Sequence, residues 1–242
     1  MRTCIAALLL LVCGICFSQG LPTGRPGHPA AYPTESQLRT AIEDAAKLAK
    51  ADGLDVEIFD AQKLGMTQPL LAARLNGATD SCQIFYNTKP ENGLTQYFAT
   101  IDANDLPVLL TAMAVHEVAH CIEYREAYVG RRFDKILPPG FRSDSMTFRG
   151  YMGAVKSGTL QTWGEALADI ASVLYLKQAT PNHWRELAQG VAGMRHDLAR
   201  KWPGHDTSPW LYRVIAAGAN LPRNQSLFET AFRLRRLYRP GD

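Results

Sequence analysis

The sequence predicts an α+β fold: a small mixed sheet in the N-terminal half with a long polar-marked helix, followed by a mainly helical C-terminal half. Three observations predict it. Strand-like segments end by residue 101, amphipathic helical stretches fill the remainder, and no low-complexity tract interrupts either part. At 242 residues the chain can bury a sizeable core. A net charge of +3 is too small to imply nucleic acid as a partner. No repeat of solenoid-like period is present.

Residues 1–20, MRTCIAALLLLVCGICFSQG, read as a secretory signal peptide. Arg2 supplies the positive end, Ile5–Phe17 the apolar core and Ser18–Gly20 the cleavage zone. A spanning anchor needs about 18 or more apolar residues, and this run is shorter. A lipoprotein signal calls for a small residue before Cys13 or Cys16, where Val12 and Ile15 stand. The expected location is therefore secreted or periplasmic, with no stable membrane anchor. Residues 21–34, LPTGRPGHPAAYPT, form a Pro/Gly-rich linker that is mobile or draped over the surface, and 35–242 form a single domain. Cleavage leaves Cys82 and Cys121 as the cysteines of the mature chain. In an oxidising compartment such a pair is a disulfide candidate; two separately buried thiols are the alternative.

Residues 35–51 place Leu38, Ile42, Ala46 and Leu48 on a helical stripe that Gly53 ends. LDVEIFDA (54–61) alternates as a strand, and CQIFYN (82–87) and TQYFATI (95–101) read as two more, joined by a turn in TKPENGL. Asp105 is placed to cap a helix that runs to about Tyr124. Residues 159–177, 181–201, 209–217 and 225–238 follow as helices, with Thr180-Pro181 and Ser208-Pro209 as cap-then-proline starts. The basic stretch 130–158 reads as a solvated loop, or alternatively as a cleft wall that accepts acidic substrates. RLRRLYR (233–239) reads as the wet face of a terminal helix.

The chemistry is concentrated in TAMAVHEVAHCIE (111–123), where two histidines and a glutamate interrupt an apolar helix. Burying such groups needs hydrogen bonds, ionic partners or a metal. His116 and His120 are four apart and project from one helical face, the spacing at which two imidazoles chelate one zinc ion. Glu117, offset around the helix, can reach a water on that ion. Glu123 lies about 10 Å along the axis from His116, too far to share the ion, so the third ligand comes from elsewhere. TWGEALADIASVLYL (162–176) offers Glu165 and Asp169, again four apart in an apolar helix. Glu165 as a ligand and Asp169 as a hydrogen-bond acceptor for a ligand histidine satisfy both acids; two solvated acids on an exposed edge are the alternative.

HEVAH with a downstream GEALAD resembles the gluzincin metallopeptidases, the thermolysin-like clan, whose pattern is HExxH on one helix and ExxxD on a later one. The resemblance covers these two helices. It implies a zincin-like core, one catalytic Zn2+ held by His116, His120 and Glu165, Glu117 as general base, and Asp169 orienting His116. Glu165 lies 45 residues after His120, a longer gap than in the smallest members of the clan. The metzincin pattern fails at Glu123 and Glu126, and an aspzincin pattern fails at Thr162. The resemblance also implies a downstream histidine or tyrosine that stabilises the oxyanion. His205 in GHDTSPWLY sits at the matching loop position; a surface histidine beside Asp206 is the alternative, and Tyr212 reads as core. His183 and His196 read as surface residues.

The implied activity is that of an exported zinc-dependent endopeptidase acting on peptide or protein substrates. Zinc would lower the pKa of its water towards about 7, and Glu117 would move the proton to the leaving nitrogen. The rivals are a zinc hydrolase of another amide, such as a cell-wall peptide, and a non-catalytic zinc-binding interaction domain. CQIFYN is the expected docking strand for an extended substrate, since a Cys82–Cys121 bridge would pin it beside HEVAH. No pattern in the chain sets an oligomeric state.

Overall fold

The first helix, α1 (Glu35–Ala51), begins where Thr34 closes a capping box with Gln37, each satisfying an otherwise unpaired amide of the other's segment. It stops at Asp52, and Gly53 takes the left-handed backbone (φ 74°) that lets the chain reverse into the sheet. Leu38, Ala41, Ile42, Ala45 and Ala49 give α1 its buried face. The computed structural model describes residues 28–67, 69–89, 92–220, 222 and 224–241; the predicted signal segment and residues 21–27 lie outside them. The described end of the linker is draped rather than loose. Ala30 and Ala103 exchange backbone bonds with Ile101 and His28, and Tyr32 packs edge-on to Phe98.

Three strands follow: β1 (Asp55–Asp60), β2 (Leu71–Asn76) and β3 (Ser81–Tyr86). Their order is β1-β3-β2, with β3 parallel to β1 and antiparallel to β2. All six β3 residues are buried, as a central strand's are. This corrects the expected substrate strand: both sides of CQIFYN are already paired, and β2 is the edge that packs on the long helix. TQYFATI is also corrected, because Asn92–Phe98 form a helix, α2. Leu94, Tyr97 and Phe98, spaced as one helical face, are buried together.

Helix α3 (Leu106–Arg125) runs between α1, β2 and α6 (Gln161–Ala179), and most of its residues are buried. It carries little amphipathic pattern because both of its sides meet protein. Extended by a π turn, Leu106–Gly130 is the one helix among the described residues long and apolar enough to cross a membrane, and most of it is buried inside the fold. Cys82 and Cys121 form a disulfide that ties β3 to α3, with both residues fully buried. Asp105 precedes α3 without a side-chain cap bond; its carboxylate instead pairs with His183 at 2.8 Å.

The basic stretch is not a plain loop. It folds into α4 (Phe133–Ile136) and α5 (Phe148–Lys156), and buries Phe133, Ile136, Leu137 and Tyr151. Helices α7 (Trp184–Leu198), α8 (Ser208–Ala216) and α9 (Leu227–Leu237) complete the C-terminal half. The start of α7 lies three residues beyond Pro181, since Thr180 closes α6 instead. The α9 cations are not all wet: Arg235 is fully buried, and Arg236 donates to the carbonyls of Lys135 and Leu137.

Candidate metal centre

α3 and α6 cross so that the polar residues interrupting each helix meet. His116 Nε2 and His120 Nε2 lie 3.1 Å apart. Glu165 Oε2 is 3.5 Å from the first nitrogen, and Oε1 is 3.6 Å from the second. Three donors bound at about 2.0–2.1 Å on tetrahedral corners stand roughly 3.4 Å from one another. The three side chains therefore converge at the separation of one coordination sphere, and they form a group that could hold a metal ion. Glu165 and His120 are buried, and His116 is nearly so.

The His116 ring is oriented from behind. Its Nδ1 lies 2.8 Å from Asp169 Oδ1, so an N–H there donates to the carboxylate and leaves the Nε2 lone pair facing the cluster. Asp169 is itself held by Arg195 Nη2 at 2.7 Å and by the Thr207 hydroxyl. Arg195 also reaches Glu165 Oε2 at 3.3 Å. His205, in a short 3-10 turn (Pro203–His205), is buried with Nδ1 3.4 Å from Glu165 Oε2 and Nε2 2.9 Å from the Gln161 amide. Gly204 makes room for that amide: a Cβ there would lie 2.5 Å from Gln161 Oε1.

Burial sets the protonation states. It pushes Glu117 up to about 7, although His116 and the backbone N–H of Ala73 on β2 favour the carboxylate. It pushes His120 down to about 4, which keeps the imidazole neutral and its lone pair available. Burial also disfavours the Glu165 and Asp169 carboxylates, but their partners prevail. A hydrogen bond from His205 and the positive charge of Arg195 hold Glu165 well below the usual range. Arg195 and then His116 hold Asp169 at about 2. His116 follows the same order: burial opposes the imidazolium, and the Asp169 charge outweighs it and raises the pKa.

A cavity of about 350 Å³ opens beside the cluster. Its wall is mostly apolar, with Leu71, Met113, Val191, Met194, Leu198 and Trp202 among the lining residues, and His116, Glu117, Glu165 and His205 reach it. A dry wall of this kind strengthens every charge interaction inside it.

All the residues singled out around HEVAH and GEALAD, and His205, thus share one site. Tyr212 does not; it is half exposed on α8 rather than in the core. His196 is exposed, and His183 is engaged with Asp105. Arg195, Thr207 and Gln161 belong to the site without having been read from the sequence. For Arg195 a signal existed: it falls four residues after Val191 and three before Leu198, on the buried stripe of α7.

No protein-family model matches the chain, and neither a curated protein nor a solved structure matches it.

Proposed function

We propose that this protein is an exported zinc-dependent peptidase of gluzincin type. The observation that carries the reading is the tetrahedral-scale spacing of two imidazoles and one carboxylate, with Glu117 beside them at the cavity. Two nitrogens and one carboxylate oxygen are a donor set that suits zinc, and three protein ligands leave a position open, as catalytic rather than structural sites do. When bound, the metal supplies Lewis acidity towards a carbonyl oxygen and makes a water more acidic.

The chain's own residues do the rest. Glu117 takes a proton from the water as the water oxygen adds to the carbonyl carbon, and delivers that proton to the leaving nitrogen as the C–N bond breaks. Asp169, fixed by Arg195 and Thr207, holds His116 in the tautomer that presents Nε2. His205, at the edge of the same cluster, would stabilise a developing oxyanion by turning the N–H it gives to Glu165 towards the substrate. An extended peptide substrate would pair with the outer edge of β2, where the Ala73 N–H meets Glu117, and place an apolar side chain against the cavity wall. The buried disulfide fits an oxidising, extracytoplasmic compartment.

Metal analysis of the purified mature chain before and after chelation, followed by cleavage of a broad peptide library, tests the proposal. One equivalent of zinc, hydrolysis that a chelator abolishes, and a Glu117→Gln variant that keeps zinc but loses hydrolysis are expected. Zinc without any cleavage by the unmodified chain would favour a non-catalytic binding domain, and absence of zinc would overturn the reading altogether.

A further inference from the structure

Glu123 is one turn beyond His120 on α3, and it is fully buried without belonging to the metal cluster. Its partner is Arg235 of α9, also fully buried, with Nη1 2.6 Å from Glu123 Oε1. The same guanidinium donates to the Trp163 carbonyl in the first turn of α6 at 2.8 Å and to the Ile136 carbonyl closing α4 at 3.1 Å. Its plane lies over the Trp163 ring, with Cζ 4.3 Å from the centroid. Gly164 completes the contact from the other side. A Cβ on it would stand 3.2 Å from Glu123 Oε2, so the absence of a side chain lets the carboxylate rest against α6 immediately before Glu165.

Such an arrangement is a poor choice for stability alone. Two charges give up their hydration, and although the Tyr151 hydroxyl also reaches the Glu123 carboxylate, Arg235 Nε lacks a hydrogen-bond partner among the described residues. Apolar residues of the same volume commonly serve a core as well or better than a buried ion pair. What the ion pair supplies and apolar packing does not is direction: one planar group holds an acid of α3 and a carbonyl of α6 at fixed separations. The two points it joins lie three residues from His120 and two from Glu165.

We propose that the Glu123–Arg235 pair is a positioning device that sets the register of α3 against α6, and through it the separation of the paired imidazoles from the Glu165 carboxylate. The inference rests on the metal-site reading above and adds to it a requirement for the C-terminal helix, which contributes no ligand. Apolar slippage between two smooth helices would move the third donor out of the sphere; the guanidinium prevents it.

The test compares the full chain with a Glu123→Met/Arg235→Met double variant, which removes both charges and retains volume. Zinc affinity is measured by competition with a chromogenic chelator, site geometry by the visible absorption of the Co2+-substituted protein, and folding by cooperative urea unfolding. The expected result is a folded protein whose zinc affinity falls at least about tenfold and whose Co2+ spectrum shifts. A Leu38→Ala variant, which weakens α1 far from the pair, is expected to lose stability while keeping both metal readouts. Arg235→Lys serves if the double variant does not fold. It keeps the charge but cannot hold the Trp163 and Ile136 carbonyls together with Glu123, and is expected to shift both readouts in the same direction. Unchanged affinity and spectrum in whichever folded variant is obtained would overturn the proposal. Failure of the unmodified chain to bind zinc or Co2+ would overturn the site reading and this one with it.

Discussion

Glu117→Gln in the metal-free protein separates electrostatics from catalysis. Burial moves the Glu117 carboxyl from its ordinary 4.5 to about 7, which makes the ionised form roughly 3 kcal/mol costlier in the folded chain. Since the side chain lines an open cavity, about 2 kcal/mol is the working figure. The sign follows from linkage. A raised folded-state pKa contributes stability that is complete below about 4.5 and lost as pH rises through about 7. Gln carries no such proton, so the variant gains on the unmodified chain as pH rises. His120 works in the opposite sense: its folded pKa near 4 gives stability above about 6.5 that is lost as pH falls. It is common to both proteins and drops out of their difference. Urea unfolding followed by far-UV circular dichroism in chelator, at pH 5, 6, 7 and 8, measures that difference. The expected result is an advantage for Gln that grows by about 1 kcal/mol between pH 5 and pH 8. A difference that does not change with pH would refute the reasoning, because it would mean that Glu117 ionises in the folded chain as freely as in water.

Removing the disulfide in a Cys82→Ala/Cys121→Ala variant releases a loop with a sequence separation of 39, which costs about 4 kcal/mol by chain entropy. Urea midpoints under non-reducing conditions check this, and a loss under about 1 kcal/mol would show that the buried packing of β3 on α3 suffices alone. Asp169→Asn keeps an acceptor for His116 but loses the charge that engages Arg195, so zinc affinity is expected to fall about 10–100-fold in a competition titration. Gly204→Ala drives a Cβ into Gln161 Oε1 and displaces the amide from His205. Because that side-chain end can swing away, stability should change by less than about 1 kcal/mol, while turnover of a cleaved peptide falls; unchanged turnover would remove Gln161 and Gly204 from the working site.

How much of this was legible depends on whether a feature is local. The bounds of α1 follow from Thr34, its apolar stripe and Gly53, all within one segment. LAARLN has little strand preference of its own; it is a strand, β2, because β3 holds it. TQYFATI misled in the opposite direction, its aromatic and β-branched content suggesting a strand while Leu94, Tyr97 and Phe98 follow helical spacing. Polar residues inside apolar helices proved the dependable signal. His116, His120, Glu165 and Asp169 all break apolar runs, and the structure brings them together. Arg235 obeys the same rule, being four residues from Ala231 and seven from Phe228 on the buried phase of α9, but three neighbouring arginines made the run look like a solvated face. Phase, rather than charge count, distinguishes the buried cation from the wet ones. What phase cannot reveal is the partner: Glu123 lies 112 residues from Arg235, and only the packing of α9 against α6 makes the two a pair. A buried charge in a sequence thus predicts that a compensating group exists, and the tertiary fold decides whether that group is a metal, a histidine or an opposite charge.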